Sequence, residues 1–351
     1  MPDNPHPEIA GHDASRRRLL QGITASLALM GMPGIVSAMG KMPGGNISPF
    51  ASKDELVEKI AAEFKLSPKL VQSALAHAEF KPSIIRRMQT PYESRPYAEY
   101  RPLFVNTRLA GLGKDYLQQH KKIFSATEKK YGVEPAIIAA ILGMETHYGR
   151  SRGKDSVLSA LYTLAAGFPR RADFFRGELG HFLLLCKEEG LRPQDPLGSY
   201  AGAFGVTQFI PSSYRHFAVD ADGNGKRDVW ESPQDIIASV GNYFQKHRWQ
   251  AGRPVAHWLP SSPALKPQAK KGLKDWKKLR DFRVHLPELP AIWKDDDKVT
   301  IIEMQPKGGK QLALVHYNFY VITRWNRSYN YAMAITELAE RLGCTACNTH
   351  A

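Results

Sequence analysis

The sequence predicts an α+β chain that is mostly α, with one small β-rich insertion. Three observations lead to that class. Apolar residues recur at helical spacing from about residue 54 to 251 and again after 316. Between residues 252 and 315 the chain turns Pro- and Lys-rich, and Val299–Met304 and Leu312–Tyr317 alternate as strands do. Between two helical stretches, residues 220–231 carry oxygen-bearing side chains at a regular spacing, which reads as a helix–loop–helix unit.

The totals set the bounds. A chain of 351 residues with 43% hydrophobic content holds two or three domains, or one large domain with insertions. The formal charge is +14, and the first 38 residues leave it unchanged, because Arg16, Arg17 and Arg18 offset Asp3, Glu8 and Asp13. A basic surface attracts polyanions such as nucleic acid, anionic lipid or an acidic wall polymer. Apart from short runs such as Lys270-Lys271 and Lys277-Lys278 the cations are scattered, which gives a diffuse field rather than a nucleic-acid groove.

Taken in order, a polar lead is followed by Ser15-Arg-Arg-Arg-Leu-Leu20, an apolar stretch to Met30, and the small residues Val36-Ser37-Ala38. That is a charged region, a short apolar core and a cleavage site, so residues 1–38 read as an export signal of twin-arginine type. Gly31, Pro33 and Gly34 interrupt it and argue against a stable membrane span. The expected location is therefore the periplasm. Residues 39–53 read as a linker, and 54–130 as an N-terminal α-helical region. Within that region Leu56, Ile60, Ala61, Phe64, Leu70, Val71, Ala74 and Leu75 keep helical spacing, with Pro82 and Pro91 as breakers. Tyr97–Phe104 is aromatic, and Lys114–Tyr131 is helical. Residues 131–251 form the expected core, with helices over Ser156–Ala166 and Arg170–Glu188. The insertion is 252–315, with further strands expected at Val255–Trp258 and Phe282–Leu286. Helices return over 316–343, ahead of a tail at 344–351.

One helix organises the core. Pro135 suits its first turn, Gly149 suits its C-terminal cap, and Ile137, Ile138, Ile141 and Leu142 mark a buried face. Glu145 falls on that face. A carboxyl group is costly to bury as an anion, so its pKa should rise. A neutral acid at pH 7 is what a glycosidic oxygen needs as a proton donor. The alternative is a helix-end Glu that swings out to pair with Arg150 or Arg152.

Two further stretches carry chemistry. Gly198, Gly202 and Gly205 precede Gln208 and a Pro-Ser-Ser helix start. Such glycines allow close backbone approach to a ligand, or a tight turn packed under the core. No Gly-Lys-Ser/Thr follows, which excludes a phosphate loop. In the acidic stretch, Asp220, Asp222, Asn224, Asp228 and Glu231 fall at positions 1, 3, 5, 9 and 12 of an EF-hand loop, with Gly225 at the sharp turn and the Lys226 carbonyl at position 7. This predicts one structural Ca2+. No organic cofactor is expected. Among the three cysteines, Cys344 and Cys347 can close a disulfide in an exported chain, but they sit past the last helix and lack the helix start a redox pair needs. The 12 His contain no zinc-protease pattern.

Four segments, taken together and in this order, resemble the lytic murein transglycosylase B family: Gly143-Met-Glu-Thr-His-Tyr-Gly149, residues 199–213, the calcium loop, and residues 318–328. The resemblance runs from about Tyr97 to Leu342 and is weak across the insertion. It implies a lysozyme-like core and cleavage of the β-1,4 bond between N-acetylmuramic acid and N-acetylglucosamine, with a 1,6-anhydro product. It implies Glu145 as sole catalytic acid and base, and Ser199, Gln208, Tyr100 near the entrance, Asn326 opposite the Glu, and Met144 and Phe104 as sugar-site lining. Trp325 departs from the family's usual Tyr, which is expected to remove a hydroxyl from the cleft, and Val206-Thr207 replaces a more aromatic or glycine-rich pair. The partners implied are peptidoglycan glycan strands, met by a monomer. A hydrolytic lysozyme needs a second carboxylate in the cleft; a silent wall-binding protein would bind without cleaving; a nucleic-acid binder has only the charge in its favour.

Overall fold

The computed structural model describes residues 47–89, 95–347 and 349. The export signal and the first part of the linker lie outside the described residues.

The first helices are set by their caps. α1 (Lys53–Phe64) starts at Ser52, whose hydroxyl accepts from Glu55 N at 3.1 Å, and ends on Lys65 in a left-handed conformation. α2 (Pro68–Ala76) and α3 (Pro82–Met88) both begin on Pro. Pro82 therefore starts a helix where it was expected to break one: a residue with no N–H loses nothing at the first helical position. α4 (Tyr97–Phe104), α5 (Thr107–Gln119) and α6 (Lys121–Tyr131) follow, so the single helix expected over 114–131 is two, joined at His120.

α7 (Pro135–Thr146) is the centre. Every residue from Ala136 to Thr146 is buried. A helix that is apolar all round belongs inside a larger core. The expected division into buried and exposed faces is absent, because neighbouring helices surround α7. α8 (Val157–Gly167) and α9 (Ala172–Glu189) pack against each other, and α9 carries α1. α10 (Pro211–Phe217) and α11 (Pro233–Lys246) flank the acidic loop. After the insertion, α13 (Tyr317–Trp325) and α14 (Tyr329–Arg341) return, and α14 lies along α7 and α4. One hydrophobic cluster runs from Ala51 to Cys347, so the N-terminal helices share the core rather than forming their own.

The insertion holds a short helix, α12 (Lys266–Lys271), and a four-stranded antiparallel sheet in the order β3-β6-β5-β4: β3 (Ala256–Leu259), β4 (Lys277–Lys278), β5 (Lys298–Met304) and β6 (Gln311–His316). Ile301 faces Leu314 and Ile302 faces Ala313 across β5 and β6. Side chains alternate between two cores. Ile302, Met304, Ala313 and Val315 join the main cluster, while Val299, Ile301, Leu312 and Leu314 join a second one with Leu279, Phe282 and Trp293. Phe282–Leu286 is not a strand: Leu279–His285 is a 3-10 helix that puts Phe282 into this second core. Two further two-residue strands, β1 (Asp155–Ser156) and β2 (Leu197–Gly198), pair in the main body.

The insertion is pinned at its base. Asn318 accepts from Gln250 N at 2.9 Å and donates to Gln250 O at 2.8 Å and Arg253 O at 3.2 Å. Arg253 pairs with the buried Asp297. Cys344 and Cys347 form a disulfide at the end of the chain. Among the described residues, no helix is long and apolar enough to cross a membrane.

Candidate active site

Glu145 lies one residue before the end of α7 and is 1% exposed. It turns inward. Trp325 Nε1 donates to Glu145 Oε1 at 2.9 Å, and the Tyr331 hydroxyl donates to the same oxygen at 2.8 Å. The outward alternative, pairing with Arg150 or Arg152, is not taken: Glu145 is buried and bonded inward, and Arg152 pairs with Glu231 at 2.5 Å while its Nε donates to Gly149 O at 3.0 Å.

Among the described residues, four other carboxylates are comparably buried, and each has a structural task. Glu178 accepts from Ser212 N at 2.9 Å and Ser212 Oγ at 2.6 Å, which holds the first turn of α10. Asp297 pairs with Arg253. Glu337 pairs with Arg101 and accepts from Trp258 Nε1 at 3.1 Å. Asp235 holds the acidic loop, as described below. Glu145 takes hydrogen bonds from the Trp325 indole and the Tyr331 phenol. Burial, and next the Glu145 charge, hold the Tyr331 phenol well above the usual tyrosine range, so it stays a donor.

The backbone at the end of α7 is strained. The left-handed cap is His147 (φ 50°), not Gly149, and Tyr148 (φ 59°) repeats the conformation before Gly149 (φ 85°). Gln208 (φ 51°) is left-handed too. Non-glycine residues in this region cost on the order of 1–3 kcal/mol each and cluster where a fold holds a functional geometry. The strained turn is tied down: Thr146 Oγ1 donates to Val206 O at 3.1 Å and accepts from Gly149 N at 2.9 Å. That bond brings the glycine-rich loop to the end of α7.

The loop's glycines are there for protein contacts. A Cβ on Gly153 would meet Gly198 O at 2.1 Å, one on Gly198 would meet Ala203 O at 2.1 Å, and one on Gly205 would meet Val229 Cγ2 at 2.7 Å. The tight-turn alternative is thus the one the fold uses at these positions. Ser199 belongs to the turn: its Oγ accepts from Ala203 N at 3.0 Å and Ala201 N at 3.3 Å. Gln208 Nε2 donates to Gly205 O at 2.9 Å and Arg152 O at 3.1 Å, while its Oε1 is buried without a partner. Thr207 Oγ1 and Asn326 Nδ2 are also buried and unpartnered. Phe209, next to Gln208, packs 5.2 Å from the Trp325 ring, and Asn326 follows Trp325 directly. A run of contacts therefore links Gln208 to Glu145.

Tyr100, expected near an entrance, is fully buried, with its ring 5.0 Å from Phe104. α14 packs on the helix that carries it, and its charge state bears on Tyr331. Met144 is fully buried beside Glu145. Trp325 does not leave the site without a donor; its indole N–H supplies one. Tyr331 was not found from sequence. Its signal is its place on the apolar stripe Tyr331, Ile335, Leu338, Leu342 of α14, where a buried tyrosine needs a partner for its hydroxyl.

The acidic loop differs from the expected twelve-residue form. Asp220, Asp222 and Asp235 bring carboxylate oxygens within 4.8 Å of one another. Asp220 Oδ1 accepts from Gly223 N at 2.7 Å and Oδ2 from Gly225 N at 2.8 Å, and these bonds hold its carboxyl below the usual range. Asn224 Oδ1 accepts from Lys226 N at 2.9 Å. Asp228 is turned to cap Trp230 N at 2.8 Å and Glu231 N at 2.9 Å, and Glu231 is out on Arg152. Asp235, on the first turn of α11, is the third carboxylate of this cluster. It accepts from Ala221 N and Asp228 N, both at 2.7 Å. Hard oxygen donors in this number suit Ca2+.

Residues 50–340 match the transglycosylase SLT domain family. The chain is 33% identical over 307 residues to the membrane-bound lytic murein transglycosylase B of Escherichia coli K12, covering 85% of this chain and 84% of that one. Its fold is similar to soluble lytic transglycosylase SltB1 of Pseudomonas aeruginosa, at TM-score 0.74 and 36% identity over 82% of this chain and 97% of that chain. It is also similar to the Escherichia coli lytic transglycosylase Slt35 in complex with calcium, at TM-score 0.74 and 31% identity over 86% and 98%. The four-motif resemblance, the mostly helical fold and these matches agree: the chain belongs to the transglycosylase SLT domain family and is a lytic transglycosylase.

Proposed function

We propose that this chain cleaves peptidoglycan between N-acetylmuramic acid and N-acetylglucosamine, with Glu145 acting first as acid and then as base. The observation that carries the reading is a carboxyl at 1% exposure, held by Trp325 and Tyr331 at the end of the central helix. Burial favours the protonated form of a carboxyl.

The steps balance without water. The protonated Glu145 gives its proton to the bridging O4 as the bond from C1 of the muramic sugar breaks. The positive charge developing at C1 is met by the sugar's own N-acetyl oxygen. Glu145, now a carboxylate, takes the proton of the C6 hydroxyl, O6 bonds to C1, and the anhydro ring closes. Both protons pass through one carboxyl, so no second carboxylate is needed, in contrast to the usual glycosidase pair. Gln208 Oε1, Thr207 Oγ1 and Asn326 Nδ2 have unused hydrogen-bonding capacity, which suits amide and hydroxyl groups of a sugar. Ser199, Tyr100 and Met144 act less directly, by holding the loop and the walls.

Asp220, Asp222 and Asp235 would hold Ca2+, with the Asn224 side chain and the Lys226 carbonyl completing the set. When bound, the ion supplies charge that closes the loop between α10 and α11 and takes no part in bond breaking. The signal read in residues 1–38 fits export to the compartment where the glycan lies. The test is digestion of purified peptidoglycan followed by mass spectrometry. Ends carrying 1,6-anhydromuramic acid are expected; reducing ends alone would assign a hydrolase instead.

A further inference from the structure

We propose that Trp325 is a positioning residue for Glu145: its indole N–H, sharing Oε1 with the Tyr331 hydroxyl, keeps that oxygen an acceptor and places the transferable proton on Oε2. The inference deepens the acid–base reading of Glu145 and rests on it.

Both donors converge on one oxygen, at 2.9 Å and 2.8 Å. They differ in kind. A phenol donates or accepts, so on its own it tolerates a proton on either carboxyl oxygen. An indole nitrogen only donates. A proton on Oε1 would point into the Trp325 N–H, and the indole cannot turn to accept it. Its ring is held at 4.6 Å from Tyr243, 5.2 Å from Phe209 and 5.8 Å from Phe244, where it lies nearly parallel. Trp325 is half-buried, so it spans from the carboxyl toward the surface at the end of α13.

The two donors also set the working pH. They favour the carboxylate, against the burial that favours the acid. The titratable groups around this corner are Tyr331 on α14, Tyr100 on α4 and Tyr243 on α11. Arg324 and Arg327 act on Tyr243 from beyond the site, and Arg108 and Arg150 act on His147 at the end of α7. Tyr116 and Tyr148 lie toward α5, and Glu337 on α14 is taken up by Arg101. Of the two donors to Oε1, Trp325 is the one that cannot change its hydrogen-bond direction.

The experiment measures release of 1,6-anhydro products from purified peptidoglycan against pH for wild type, Trp325→Phe, Trp325→Tyr and Glu145→Gln. Trp325→Phe keeps an aromatic ring and loses the donor. Its kcat should fall about tenfold with KM little changed, and the alkaline limb of its profile should move up by about one pH unit, since the acid keeps its proton longer. Trp325→Tyr restores a donor and should recover most of the limb's position. A second measurement needs no change at Trp325. One of the indole N–H cross-peaks of the 15N-labelled wild type should titrate with the midpoint of that limb and become flat in Glu145→Gln. A wild-type profile in Trp325→Phe, or no indole signal that follows the limb, overturns the proposal. Anhydro release by Glu145→Gln would instead overturn the acid–base reading beneath it.

Discussion

The end of α7 holds one carboxylate and the loop between α10 and α11 gathers several, and the two regions treat them oppositely. At α7 one carboxyl is buried and met by neutral donors that stay neutral. In the loop Asp220 and Asp222 are exposed, and backbone N–H groups of Gly223, Asn224 and Gly225 hold Asp220 charged. The first arrangement suits a group that must give up a proton and take one back. The second suits permanent anions waiting for a cation. Arg152 stands between them, with Glu231 of the loop on one side and Gly149 on the other.

The comparison can be broken in four places. Asp235→Ala removes the buried acceptor of two loop N–H groups, at Ala221 and Asp228. It should cost about 2–3 kcal/mol of stability in thermal melts and abolish stabilisation by added Ca2+. Tyr331→Phe takes one donor from Glu145 and should raise the barrier by about 1.5–3 kcal/mol in kcat, with the fold intact by circular dichroism. Any pH study must first account for His316. Burial first, and then Arg253, lower its pKa to about 3, and Arg253 already pairs with the Asp297 carboxylate 3.8 Å from the ring. The unfolded chain therefore binds a proton there that the folded chain refuses. This contribution to stability is complete above about pH 6.5 and is lost as pH falls toward 3, with a slope of up to about 1.4 kcal/mol per pH unit. Melts of His316→Asn across that window should lose this share of the slope, while His120, His147, His181 and His247, whose pKa values burial also lowers, keep theirs. The smallest effect is expected for Glu231→Gln: an exposed ion pair is worth below about 1 kcal/mol, and Ca2+ affinity by calorimetry should barely change. A large loss of affinity would return Glu231 to the ligand set.

Much of the helical frame was legible because caps and apolar spacing are local signals. Glu145 was readable as a buried acid on the central helix, although periodicity selected nothing there, since α7 is buried on every side. What was missed depends on contacts distant in sequence. Tyr331 reaches Glu145 from a helix that follows the insertion. The donor role of Trp325 exists only because aromatic neighbours fix its ring; from sequence it looked like a lost hydroxyl. Asp235, whose carboxylate lies with those of Asp220 and Asp222, sits beyond the twelve-residue spacing, on the first turn of α11. The 3-10 helix at Leu279–His285 was read as a strand because apolar residues there face a second, small core.

The most direct measurement is the rate of 1,6-anhydro product release by Glu145→Gln, alongside its binding to insoluble peptidoglycan. Gln keeps the shape of the side chain and cannot cycle a proton. A fall of about a thousandfold or more with binding retained is the predicted result. Release within tenfold of wild type would contradict a mechanism that runs both protons through this carboxyl.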